Sequence, residues 1–143
     1  MSLILKEESY AIMGACFEVF SQMGNGLIEP IYHECLIREF VERNIPALHE
    51  ANIPVFYKQQ KLSRNCRLDF LCFDKVIVEL KSVKFLDDSH RSQVHSYLRA
   101  TGLELGLLVN FGSPNEVEWE RIVRSKVPSK QSPNSLGMLK PNE

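Results

Sequence analysis

Apolar residues recur at helical spacing between Glu7 and Met23, where Ile12, Cys16, Val19, Phe20 and Met23 make one stripe and Gly24 offers a stop. After the Gly24-Asn25-Gly26 turn, Pro30 stands where a first helical turn tolerates proline. Ile31, Cys35, Leu36 and Phe40 then predict a second helix ending near Asn44. The period changes beyond Pro46. Ile53, Val55 and Tyr57 alternate with other residues beside Pro54, which predicts a first strand near a sheet edge, and basic residues fill the connection that follows. Cys66 to Phe73 and Val76 to Val83 are short apolar, β-branched runs separated by Asp74 and Lys75, the pattern of an antiparallel hairpin. Asp87 and Asp88 can cap a third helix over Ser89 to Thr101, closed by Gly102 before the apolar Leu103 to Phe111 strand.

Strand, helix, strand implies a right-handed parallel crossover, so Leu105 to Asn110 should lie parallel to Val76 to Lys81. Val117 to Val123 is a final strand or a short helix. The expected class is α/β, in the sense of an α+β arrangement around a mixed sheet, and no internal repeat interrupts it. Residues 1–125 form one expected domain. Beyond it, residues 126–143 turn to Pro, Ser, Asn and Lys, and a mobile polar and basic tail is expected.

Composition narrows the classes. The 143 residues are 44% hydrophobic and 24% charged, enough for a core without a covalent staple, which excludes disorder, collagen and coiled coil. No run approaches the roughly 18 apolar residues of a membrane span, and Met1 to Leu5 is too short for a signal peptide. Cys16, Cys35, Cys66 and Cys72 form no C-x-x-C pair and sit in apolar segments, as expected in a reducing cytoplasm. Charge is uneven: residues 1–50 hold 8 acids and 3 bases, residues 51–143 hold 10 acids and 14 bases. Lys58, Lys61, Arg64 and Arg67 make one basic stretch, and Arg121, Arg124, Lys126 and Lys130 a second. Both are candidates for contacting a phosphate backbone, or are simply solvated surface. A pI near 6.4 argues against tight binding to nucleic acid by charge alone.

The chemistry concentrates in Val76-Ile77-Val78-Glu79-Leu80-Lys81, an apolar strand that carries two opposite charges. An unpaired ion away from water costs several kcal/mol, so partners, a metal or a wet cleft must meet these charges. Period two puts Glu79 and Lys81 on one face, and Arg67 and Asp69 are embedded alike in the partner strand. Asp69 meets Glu79 only if the hairpin loop has an odd number of residues centred on Asp74, or carries a bulge; a two-residue loop separates them. Two adjacent carboxylates repel, and a hard dication such as Mg²⁺ relieves that while adding affinity for phosphate oxygens. A lysine in the same cleft can orient water or balance charge growing on a phosphate. A cross-strand salt bridge of Lys81 with Asp69 or Glu79 is the alternative. Glu29 at the mouth of helix two, and Gln93 and Tyr97 at i, i+4 on helix three with His90 one turn earlier, are weaker signals, each with a structural alternative.

Their order along the chain resembles the PD-(D/E)XK nuclease superfamily, in its exonuclease-like branch. The resemblance spans roughly residues 5–124: Gly26-x-x-Glu29-x-x-Tyr32, Arg67-Leu68-Asp69, Glu79-Leu80-Lys81, Gln93-x-x-x-Tyr97 and the Ala100 to Gly112 segment look like the small GxxExxY family within it. It implies a restriction-endonuclease-like α-β-β-β-α-β core preceded by an extra helix. It further implies Asp69, Glu79 and the Leu80 carbonyl as ligands of Mg²⁺ or Mn²⁺, Glu29 as an extra carboxylate near that ion or a second metal, Lys81 as catalytic lysine, and Gln93 and Tyr97 as helpers beside the phosphate. The implied reaction is hydrolysis of phosphodiester bonds in DNA, with RNA the lesser alternative. Leu68 replaces the superfamily's proline, a change common in that branch. The rival reading is a catalytically silent module that keeps the fold and binds nucleic acid, a partner protein or a second copy.

Overall fold

The computed structural model describes residues 3–125; the expected tail at 126–143 lies outside them. Helices α1 (Lys6–Met23) and α2 (Glu29–Glu42) precede the strands β1 (Ala47–Tyr57), β2 (Gln60–Cys72) and β3 (Val76–Lys81). Helix α3 (Asp88–Thr101), β4 (Leu105–Asn110) and β5 (Glu118–Val123) complete the chain. One mixed sheet of order β1-β2-β3-β4-β5 results, parallel between β3 and β4 and antiparallel elsewhere. This is the α+β architecture read from the sequence, with α1 as the added helix and β5, not a helix, at the end.

Both faces of the sheet are covered, because β3 and β4 are buried along their length except at Lys81. Val76, Val78 and Leu80 with Leu105, Leu107 and Val109 pack under α1 and α2. Ile77 and Leu108 turn the other way, against Val94 and Leu98 of α3. Helix α3 starts where expected: the Asp87 side chain accepts from the backbone N–H of Ser89 and His90, at 3.0 and 3.2 Å. His90 returns the favour by accepting from Asp87 N–H at 3.0 Å, which makes it part of the cap. Cys16 and Cys72 are buried, free thiols whose pKa burial drives upward, small hydrophobes as anticipated.

The sequence reading falls short at the first hairpin. β1 begins at Ala47, six residues before Ile53, and the basic segment taken for a connection is strand from Gln60 onward, joined to β1 through Lys58 and Gln59. Gln60 to Asn65 are exposed, so no buried face imposes an alternation that a sequence pattern could reveal.

Two buried polar contacts hold the chain beyond β3. Asn110, fully buried, mimics a strand: its Oδ1 accepts from Val83 N–H at 2.9 Å and its Nδ2 donates to Val83 O at 2.9 Å. Gly112 lies so close to Val83 that a Cβ would stand 2.2 Å from its carbonyl oxygen. Asn110→Ala should therefore cost about 1 to 3 kcal/mol, the penalty of orphaned buried backbone groups, in urea denaturation. Gly112→Ala is expected to lower the thermal midpoint by displacing the Val83 segment.

Candidate active site

The β2–β3 hairpin has the odd loop that convergence requires. Its pairs are Phe70↔Val78, Leu71↔Ile77 and Cys72↔Val76, around the three residues Phe73, Asp74 and Lys75. Phe73 and Asp74 take the left-handed conformation, both at φ 57°, which makes the tight reversal. The same register sets Asp69 opposite Glu79. There the backbone ladder ends and side chains take over: Asp69 N–H donates to Glu79 Oε2 and Leu80 N–H to Asp69 Oδ2, each at 2.8 Å. A strand residue points its N–H and C=O to the same side, so the Leu80 carbonyl faces this opening too.

Glu79 is 4% exposed. Burial, and after it the charge of Asp69, pushes its carboxyl up to about 8, against the opposing pull of the Asp69 N–H and Lys81; Glu29 adds a smaller upward push. Lys81, one turn of the pleat further on the same face, donates from Nζ to Gln93 Oε1 at 3.1 Å. Gln93 Nε2 in turn donates to Tyr97 Oη at 3.1 Å. The Tyr97 phenol is raised by burial first, then by Glu79, Cys66 and Asp69, so it remains a proton donor at neutral pH. Strand β3 thus supplies Glu79 and Lys81, β2 supplies Asp69, and α3 presents Gln93 and Tyr97 at i, i+4.

Glu29 arrives from the other layer. It is the first residue of α2, and the preceding loop is held from three sides. Tyr32, fully buried, donates to Gly24 O at 2.6 Å, accepts from Leu27 N–H at 3.2 Å and stacks on Phe111 with centroids 4.5 Å apart. Ser82 Oγ donates to Leu27 O at 2.6 Å, and Gly26 N–H to Phe111 O at 3.3 Å. Gly26 sits at φ 90°, where a side chain would be strained. In Gly26-x-x-Glu29-x-x-Tyr32, glycine and tyrosine shape the loop, and only the glutamate reaches the cleft.

The cleft it enters, about 740 Å³, is lined by Glu29, His33, His49, Glu50, Arg67 and Asp69 among others, while Glu79, Lys81, Gln93 and Tyr97 lie outside its lining and meet it through Asp69. His33 and His49 were not singled out in the sequence. His33 was legible, since it follows Glu29 by four residues on one helical face. His49 was not, because only the pairing His49↔Phe70 in β1 and β2 brings it here. Glu29, His33 and Asp69 each offer a ligand atom, all within 4.8 Å of one another, the one such group of three among the described residues.

Several expected residues stand elsewhere. Arg67 flanks the cleft but is paired with Glu50 at 2.7 Å. Lys58, Lys61 and Arg64 are exposed on the β1–β2 ribbon, which runs on past the last β2–β3 pair for roughly 25 Å. Arg121 and Arg124 are not brought to the site. Arg121 donates to Ser9 Oγ and Ile4 O at 2.6 and 2.7 Å, and Arg124 to Leu103 O at 3.1 Å, so both tie chain segments together.

The chain belongs to the PD-(D/E)XK nuclease superfamily, whose family model matches residues 6–122. Among solved structures, the crystal structure of SSO0001 is similar in fold, with 20% identity and a TM-score of 0.51 over 68% of this chain and 51% of that one. The chain thus spans about half of that structure's length. An alkaline exonuclease (LHK-Exo) from Laribacter hongkongensis was also matched, with 11% identity and a TM-score of 0.43 over 87% of this chain and 73% of that one. No curated protein matches the chain. Among the described residues, no helix is long and apolar enough to cross a membrane.

A pH dependence follows from Glu79. Its folded pKa lies above the unfolded value of 4.5, so the native state keeps a proton that the unfolded chain has released. The stabilisation is complete below 4.5 and is lost as pH climbs towards about 8. The metal-free protein should therefore melt at lower temperature at pH 8 than at pH 5.5 by this contribution, and Glu79→Gln should flatten that slope in calorimetric scans.

Proposed function

We propose that the chain is a nuclease of the GxxExxY type that hydrolyses phosphodiester bonds in DNA with Mg²⁺ or Mn²⁺. The observation that carries this reading is the meeting of Asp69 and Glu79 where the β2–β3 ladder opens, with Lys81 two residues further on the same strand face. A dication fits the residues present: Asp69 and Glu79 each use one oxygen in a backbone bond, and a cation would relieve both the burial of Glu79 and, after it, the charge of Asp69, which together raise the Glu79 carboxyl. Asp69, Glu79 and the Leu80 carbonyl would hold it, with Glu29 nearby. Bound there, it supplies Lewis acidity towards a phosphoryl oxygen and lowers the pKa of water.

The chain's own groups do the rest. Lys81 places an ammonium two residues from Glu79, where it orients the attacking water, favours its deprotonated form and offsets charge growing on the phosphate. Gln93 accepts from Lys81 and so fixes where that ammonium points. Tyr97, protonated and bonded to Gln93, presents its hydroxyl beside the phosphate. The ribbon carrying Lys58, Lys61 and Arg64 offers a basic track for the backbone, with exposed Phe56 and Tyr57 available to stack on bases. Arg67 would join after release from Glu50, while Arg121 and Arg124 are committed to internal contacts.

The test is a panel of single-stranded DNA, double-stranded DNA and RNA incubated with Mg²⁺ or Mn²⁺. DNA cleavage is expected, reduced by about a hundredfold or more in Lys81→Ala and abolished in Asp69→Asn, with DNA binding retained in both. Binding without cleavage by the unaltered chain would replace this reading with the silent module.

A further inference from the structure

The sheet ends at β5 on an edge without the usual guards. Strand β1, at the other edge, contains Pro54 and a left-handed Glu50, both of which spoil an edge for a passing strand. β5 has neither feature, and its charges are turned into its own protomer. Glu118 accepts from Leu86 N–H and Asn110 Nδ2, Glu120 holds Arg91, and Arg121 donates to Ser9 and Ile4. We propose that β5 pairs antiparallel with β5 of a second copy of this chain, about a two-fold axis at Arg121, to make one continuous sheet. The pairing goes beyond the nuclease reading and uses no residue that lines the cleft.

The backbone decides the register. Arg124 N–H donates to Glu104 O at 2.8 Å, so the even-numbered residues of β5 spend their N–H and C=O on β4. Trp119, Arg121 and Val123 therefore aim theirs at the open edge. A two-fold axis normal to the sheet sets residues of like face opposite each other, and with Arg121 on the axis Trp119 pairs with Val123 of the second copy. Every outward group is then bonded. The same register sets Glu118 across from Arg124 of the second copy and Glu120 across from its Ile122, so no acid meets an acid. An axis at Glu120 would oppose the two glutamates, and an axis at Ile122 would set Trp119 against Ser125 and lose the apolar pair. The two Arg121 side chains meet at the axis, but each guanidinium is held by Ser9 Oγ and Ile4 O of its own chain, at 2.6 and 2.7 Å.

Side chains on this edge are apolar where the pairing needs them. Val123 is 50% exposed and Trp119 38%. Trp119 meets Phe17 of α1 edge-on at 6.4 Å, and beside them a groove of about 360 Å³ is lined by Leu3, Tyr10, Met13, Phe17 and Trp119 among others. The apolar surface thus continues from the strand edge onto the helix. Pairing would lay Val123 of the second copy beside Trp119 and take both from water. Since β1 and its ribbon lie at the opposite edge, the openings at Asp69 and Glu79 stay free in both copies, about 30 Å apart at the usual strand spacing.

Trp119 is the chain's single tryptophan and reports on the edge directly. In sedimentation the full chain should pass from 16.4 kDa to twice that mass as concentration rises, with the Trp119 emission moving to shorter wavelength in step. Amide exchange reads the register. In the dimer the N–H groups of Trp119, Arg121 and Val123 should slow by about tenfold or more, while that of Ile122 is protected in both states. Val123→Pro removes an outward N–H and no bond to β4, so it should weaken association by about tenfold or more, the two-fold axis repeating each loss. Val123→Thr, which keeps the N–H, should retain the dimer. Should Val123→Pro fail to fold, the exchange pattern of the unaltered chain decides. A chain that stays at 16.4 kDa with those three amides exchanging freely overturns the pairing and leaves the edge to a strand of another protein. A dimer in which the Trp119 emission and those amides are unmoved overturns it in favour of another face. Asp69→Asn, which should stop cleavage, should dimerise unchanged, so neither reading stands or falls with the other.

Discussion

The opening of the β2–β3 ladder at Asp69 and Glu79 governs this molecule. An antiparallel pair normally closes with reciprocal backbone bonds, but here the two carboxylates accept the backbone N–H groups of Asp69 and Leu80 instead. The substitution satisfies backbone donors that would otherwise be orphaned, at the point where the β2–β3 ladder stops. Helix α2 reaches it with Glu29 and His33, helix α3 with Gln93 and Tyr97. A sheet zipped fully to its end would have kept those two sets on opposite faces.

Distant parts of the chain hold the gap in shape. Phe111 stacks on Tyr32 and so links the end of β4 to the loop before α2. Asn110 and Gly112 dock the Val83 segment, and Asn110 Nδ2 also donates to Glu118 Oε1 at 3.0 Å. The Asn110-Phe111-Gly112 segment, with no group in the cleft, therefore sets the position of two elements that have groups there. Arg91, bonded to Glu120 of β5 at 2.9 Å, fastens α3 to the far edge of the sheet.

Electrostatics at the ladder opening works against the metal-free fold. Glu79 is taken out of water beside Asp69 and within reach of Glu29, and the nearby Lys81 only partly compensates. A purely structural strand would carry apolar residues there at equal volume and lower cost. The basic groups Lys58, Lys61 and Arg64 of the exposed ribbon lie further along the chain from this centre.

The sequence by itself determined the element order, the parallel crossover and the α3 cap, and it drew attention to Asp69, Glu79, Lys81, Gln93 and Tyr97, because periodicity and misplaced charge are local signals. It also stated what the hairpin loop had to be for the acids to meet. The exposed half of β2 left no trace, since a strand with neither face buried has no pattern to read. The internal bonds of Arg121 and Arg124 were hidden for a related reason: charge is written in the sequence, but its hydrogen-bond partner is not. His49 joined the cleft only through the pairing of β1 with β2, and the tertiary structure alone decided it, because contacts between strands are fixed by register and packing over the whole sheet.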